Sequence, residues 1–161
     1  MSEAMVERWI SQLSEPNPKF GGQPECAFAQ NAWRKATVEF EDCGLNLLDR
    51  LLDISTGYVE EGKVHLLKFD VDGYYADLLD DIVAYYNELQ PHLLFLATHP
   101  LHDEPSHPTL GLVFVQRKAD MIAAVDYLRT TSYYDNNPLP EWYVEAHAGL
   151  SRRSSEGAKE E

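Results

Sequence analysis

Residues Val64–Leu128 read VHLLKFDVDGYYADLLDDIVAYYNELQPHLLFLATHPLHDEPSHPTLGLVFVQRKADMIAAVDYL. Val64–Phe69 (VHLLKF) has the short β-branched and aliphatic character of a strand. Residues 74–89 repeat apolar side chains at Tyr75, Leu78, Leu79, Ile82, Tyr86 and Leu89, the spacing of a helix with one buried stripe. Asp72 stands where a cap belongs. His92–Thr98 and Thr109–Gln116 are nearly continuous apolar runs, as expected of strands buried on both faces. Ala119–Leu128 returns to helical spacing through Met121, Ile122, Val125 and Leu128. The order is βαββα, most of a ferredoxin-like unit.

Working outward, the chain predicts an α+β, ferredoxin-like two-layer sandwich. Its sheet is mostly antiparallel, with 4–5 strands and 3–5 helices, helices lying on one face. Upstream, residues 3–13 place Met5, Val6, Trp9, Ile10 and Leu13 on one helical face. A Pro/Gly loop, SEPNPKFGGQP, leads into a short helix, ECAFAQNAW. Ala36–Glu41 alternates as a strand, and residues 44–54 form a helix with Leu47, Leu48, Leu51 and Leu52 inward. The strand that would complete the sheet is Ala36–Glu41 or a segment near Tyr143–Ala146. Residues 1–150 are read as one domain and 151–161 as a disordered tail.

Composition narrows the function classes. The chain has 161 residues, 13 basic against 27 acidic, a net charge of −14. That field repels nucleic acid and anionic membrane surfaces, and it favours cations and basic protein partners. The first residues lack an apolar targeting core and no apolar run is long enough to span a bilayer. With only Cys26 and Cys43 as thiols, the expected location is the cytoplasm.

The densest chemical cluster is His99-x2-His102-Asp103-Glu104-x2-His107, on the loop between two strands. His99, His102, Asp103 and His107 are of the types that ligate non-haem iron, zinc or copper, so a divalent transition metal is the expected cofactor. The competing reading is a solvated turn. Cys26, at the opening of a short helix after Gly21-Gly22, is a candidate ligand or nucleophile, with His99 as general base or ligand. Its competing reading is a small core residue. The pairs Tyr74-Tyr75, Tyr85-Tyr86, Tyr133-Tyr134 and Trp142-Tyr143 are candidates to line a pocket or to form core edges.

Two resemblances follow from these motifs. Phe69-Asp70-Val71-Asp72-Gly73 after a strand resembles the first motif of haloacid-dehalogenase-like phosphatases, with Thr98 and Lys118 in the places of later motifs. Tyr74 follows the glycine where that family has Thr or Val, and no acidic pair follows a later strand. Trp9, Cys26-Ala27-Phe28-Ala29, Thr98-His99-Pro100 and Ser106-His107-Pro108-Thr109-Leu110 together resemble an uncharacterised bacterial and phage family, a domain of unknown function with a Cys-Pro-Phe-Ala motif and a later Phe-His-Pro motif. Ala27 replaces its proline, and His107 stands where it has an aromatic residue. That resemblance implies importance for Cys26 and His99 but no established activity.

Three functions are therefore expected from sequence. The first is a metal-dependent or thiol-dependent enzyme acting on a small-molecule substrate. The second is a non-enzymatic domain whose acidic 74–89 helix engages a basic protein. The third is a haloacid-dehalogenase-like phosphatase.

Overall fold

The computed structural model describes residues 2–24, 26, 37–99 and 111–147. The described elements are α1 (Ser2–Leu13), a 3-10 turn (Pro18–Phe20), β1 (Val38–Gly44), α2 (Leu47–Thr56), β2 (Val64–Phe69), α3 (Ala76–Leu89), β3 (Leu93–Thr98), β4 (Gly111–Arg117) and α4 (Lys118–Leu128). Residues 141–147 form a further helix, α5. The four strands make one sheet in the order β1-β2-β4-β3. β1 runs parallel to β2, whereas the β2–β4 and β3–β4 pairs are antiparallel. The fold is thus α+β on a mixed, mostly antiparallel sheet. The run β2-α3-β3-β4-α4 keeps the expected βαββα order, with β4 inserted between β2 and β3.

The completing strand is β1, while 143–146 is helical. Because β1 reaches β2 through α2, it joins the sheet parallel, as an adjacent βαβ crossover requires. Its register slips between Asp42 and Gly44, where Gly44 takes a φ of 55°. That positive φ carries the strand through a bulge.

Strand alternation divides the interior in two. Leu67, Phe69, Phe95, Val113 and Val115 form one core with Leu47, Leu51 and Ile54 of α2 and Leu79 and Tyr86 of α3. The opposite face offers Leu66 and Leu112, flanked by Val38, Phe40 and Phe114, to Val6, Trp9, Ile10 and Leu13 of α1. Helices therefore cover both faces rather than the single face expected, which is why β3 and β4 read as near-continuous apolar runs.

The helices bury narrower stripes than the spacing suggests. In α2, Leu47 and Leu51 are fully buried but Leu48 and Leu52 are about half exposed, at 46% and 52%. In α3 the inward residues are Leu79, Ile82, Val83 and Tyr86, while Tyr75, Leu78 and Leu89 face solvent. A helix laid flat on a sheet buries only the row beneath its axis, so flanking leucines stay outside. α3 also begins later than expected. Asp70, not Asp72, organises its approach, accepting the Asp72 N–H on Oδ1 at 3.0 Å. Among the described residues, no helix is long and apolar enough to cross a membrane.

Candidate functional site

The site is built on the α1 side of the sheet. There a cavity of about 800 Å³ opens between the strands, α1, α4 and the 133–142 crossing. Its floor is the outward row of the strands, including Leu66, Leu96, Thr98, Phe114 and Gln116. Trp9 and Leu13 of α1 form one wall, and Met121, Ala124 and Leu128 of α4 another. Tyr133, Tyr134 and Trp142 close the remaining side. The pairs Tyr133-Tyr134 and Trp142-Tyr143, read from sequence as pocket candidates, thus contribute three lining rings.

Local chemistry fixes those walls. The Pro/Gly loop after α1 docks on the crossing: Ser132 Oγ donates to the Gly21 carbonyl at 2.8 Å, and Asn137 Nδ2 donates to the Lys19 carbonyl. Phe20 stacks on Tyr133 with centroids 4.8 Å apart. Gly21 has a φ of 64°, and a Cβ there would strike the Ser132 carbonyl, so this approach requires glycine. α5 is tied to α4 by Tyr143, which accepts from Arg129 Nη1 at 2.9 Å and donates to Asp126 Oδ1. The His147 ring lies over that tyrosine at 4.3 Å. This network holds Trp142 at the cavity.

One lining residue, Trp9, has an orphaned polar atom that is sealed away from the surface. Trp9 is 8% exposed, and its Nε1–H is buried without a hydrogen-bond partner. Its ring packs against Phe114, centroids 5.5 Å apart. A buried donor left unpaired costs about 1–3 kcal/mol. No Lys, Arg or His occurs among the described lining residues, and Asp120 is the only carboxylate there. Asp120 Oδ2 already accepts the Gly62 N–H at 2.8 Å, pinning the turn before β2 to α4. Burial raises the Tyr134 phenol above its ordinary value, with the charge of Tyr143 adding to it. Tyr134 therefore stays neutral across the physiological range.

The predicted site residues are divided by the sheet. Cys26 lines the cavity, partly exposed, and its backbone N–H donates to the Leu13 carbonyl at 3.1 Å. His99 is buried in the opposite core beside Phe69 and Tyr74. Its Nε2 lies 2.9 Å from the Tyr74 carbonyl, so Nε2 donates to it. His102, Asp103 and His107 lie outside the described residues, as do Glu25 and residues 27–36 of the Cys26 segment. Among the described residues, no group of three or more metal-ligating side chains converges.

The remaining candidates also have places. Cys43 donates to Glu41 Oε2 at 3.4 Å, and burial first, then that carboxylate, pushes its thiol up to about 12. It is a protonated core residue. Asp70 is exposed and uses its carboxylate in the turn before α3. Asp77, Asp80, Asp81 and Glu88 stand exposed on α3, interspersed with Leu78, Tyr85 and Leu89.

The residues that sequence reading missed are the floor and the α4 wall, chiefly Phe114, Gln116, Met121 and Ala124. Nothing in their spacing distinguishes them from core positions, since the signal is the gap between elements distant in sequence. No family model, curated protein or solved structure matches the chain.

Proposed function

We propose that the protein binds a small, largely apolar molecule in the cavity on the α1 face of the sheet. The observation that carries this reading is the 800 Å³ cavity itself, lined mostly by apolar side chains with Cys26 in its wall. A cavity of that size, mostly apolar with a few polar groups, is the form small-molecule sites take. Cys26 lies in the same wall, so a thiol-dependent reaction, if the protein is an enzyme, belongs here rather than at Cys43.

Titration of the full chain with the neutral dye Nile red tests the reading. Saturable, one-to-one, blue-shifted fluorescence supports it, and no enhancement overturns it.

A second reading keeps the metal at the His99–His107 loop. It is favoured by the His99 Nε2–H donated to the Tyr74 carbonyl, because metal-bound histidines commonly donate their other ring N–H to a carbonyl. Elemental analysis of protein purified without a histidine tag decides it. A stoichiometric metal lost in His99→Gln supports this reading, and metal-free protein whose melting is unchanged by zinc, iron or copper removes it.

A further inference from the structure

We propose that the face formed by α2 and α3 is a docking surface for a basic amphipathic helix of a partner protein. It lies across the sheet from the cavity and stands independently of what that cavity binds.

Both helices cover the core of Leu67, Phe69, Val113 and Val115, but over different parts of the sheet. α2 packs on β1 and β2, and α3 packs on β3 at the far edge. Side-chain anchors fix which flank of each helix looks inward between them. Arg50 bonds Glu41 on β1, so the opposite flank of α2, carrying Leu48 and Leu52, is turned towards α3. Asn87 bonds the Phe95 backbone on β3, so the opposite flank of α3, carrying Leu78, Tyr85 and Leu89, is turned towards α2. Tyr74 joins the two at one end by donating to the Leu45 carbonyl at 2.6 Å.

The facing apolar side chains are about half exposed, from 46% at Leu48 to 60% at Tyr85. Single exposed apolar residues are ordinary, but two facing rows of them mark a place where another apolar surface is received. An amphipathic helix meets such rows with its own apolar stripe at i, i+3, i+4 and i+7.

Charge identifies the partner. Asp77, Asp81 and Glu88 stand exposed beside the α3 row, and Asp49 beside the α2 row. α3 contains no basic residue, and Arg50, the only one in α2, is bonded to Glu41 and Asp53. Lysines and arginines flanking a partner's apolar stripe complement these rims, and the net charge of −14 steers them in. A second copy presenting this face would set carboxylates against carboxylates, and an anionic membrane surface would be repelled in the same way.

Fluorescence anisotropy of labelled peptides of 14 residues, the length of α3, titrated with the full chain tests this. One peptide carries leucines at i, i+3, i+4 and i+7 with lysine elsewhere. A second replaces its lysines by glutamate, and a third keeps its composition in an order without the stripe. The leucine–lysine peptide is expected to bind one-to-one, with the other two at least about tenfold weaker. Leu48→Gln with Leu78→Gln, both at exposed positions, is expected to weaken it about tenfold with melting little changed. Asp77→Asn with Asp81→Asn is expected to weaken it and to reduce its salt dependence. Equal binding of the scrambled peptide, or full affinity in the leucine variant, overturns the role of the apolar rows. Equal binding of the glutamate peptide, or affinity and salt dependence unchanged in the aspartate variant, overturns the basic partner. Self-association of the chain that the leucine variant abolishes assigns the face to a second copy and overturns it too. Failure of the leucine–lysine peptide to bind overturns the docking surface itself.

Discussion

The ring of Trp9 rests on Phe114 at 5.5 Å, yet its N–H is sealed from solvent and meets no acceptor. An aromatic pair that gains from packing therefore carries an unmet polar group. Trp9→Phe loses some buried area but removes the orphaned donor, worth about 1–3 kcal/mol. We expect it to lie within about 1 kcal/mol of wild type in urea denaturation, the two effects offsetting. Trp9→Ala, which also empties the ring's volume, should cost about 3–5 kcal/mol. A Trp9→Phe loss as large as that of Trp9→Ala would show that the indole N–H is satisfied.

Asn87 holds α3 to the edge strand. Its Oδ1 accepts the Phe95 N–H at 2.8 Å and its Nδ2 donates to the Phe95 carbonyl at 2.9 Å, so the side chain pairs with β3 as a neighbouring strand would. Asn87→Leu should destabilise the fold by about 2 kcal/mol, since both backbone groups lose their partner. Chemical denaturation measures the loss, and no change would mean that water replaces the clamp fully.

The two thiols should separate by reactivity. Cys43 is buried, with its thiol pushed up to about 12, whereas Cys26 is partly exposed on the cavity. Iodoacetamide near pH 8 should label Cys26 in native protein and Cys43 only after unfolding. Bound Nile red should slow the Cys26 reaction. Peptide mapping by mass spectrometry checks both, and native labelling of Cys43 would contradict its placement.

His65 sets an acid-side limit on stability. Burial lowers its pKa, partly opposed by the Glu39 carboxylate 3.3 Å from Nδ1. The folded state therefore binds the proton less readily than the unfolded chain does. Its contribution is fully present above the unfolded value of about 6.5 and is lost as pH falls toward the lowered folded value. Glu39 and Glu41, held below the ordinary carboxylate range by their bonds to Lys63 and Arg50, lose their contributions at still lower pH. His65→Gln should flatten the melting-temperature profile just below neutrality and leave the more acidic limb in place. An unchanged profile in that variant would place the sensitivity elsewhere.

Much of the fold was legible because it depends on local pattern. Val64–Phe69 has the bounds read from sequence, and β3 and β4 announced burial on both faces by their unbroken apolar runs. The choice of the earlier strand over 143–146 was not legible, because sheet partners are set by long-range packing. Leu48, Leu52 and Leu78 misled for a related reason: periodicity gives the apolar side of a helix but not how wide a strip its neighbour covers. The site was less legible still. Cys26 and His99 stood out as residue types, but the sheet separates them, Cys26 packing with the α1-side core and His99 beside Phe69 in the other. Trp9 read as an ordinary core residue, and an orphaned N–H leaves no trace in sequence.

Ala124, half-buried in the α4 wall, allows the cavity to be filled from one side. A phenylalanine forced into a packed core costs about 1–3 kcal/mol, whereas one placed into empty space does not. The decisive measurement is the thermal melting of Ala124→Phe, made together with its Nile red titration. Binding lost with melting unchanged or raised is the predicted result. Dye binding equal to wild type, or a variant melting well below it, would contradict an open ligand cavity at this site.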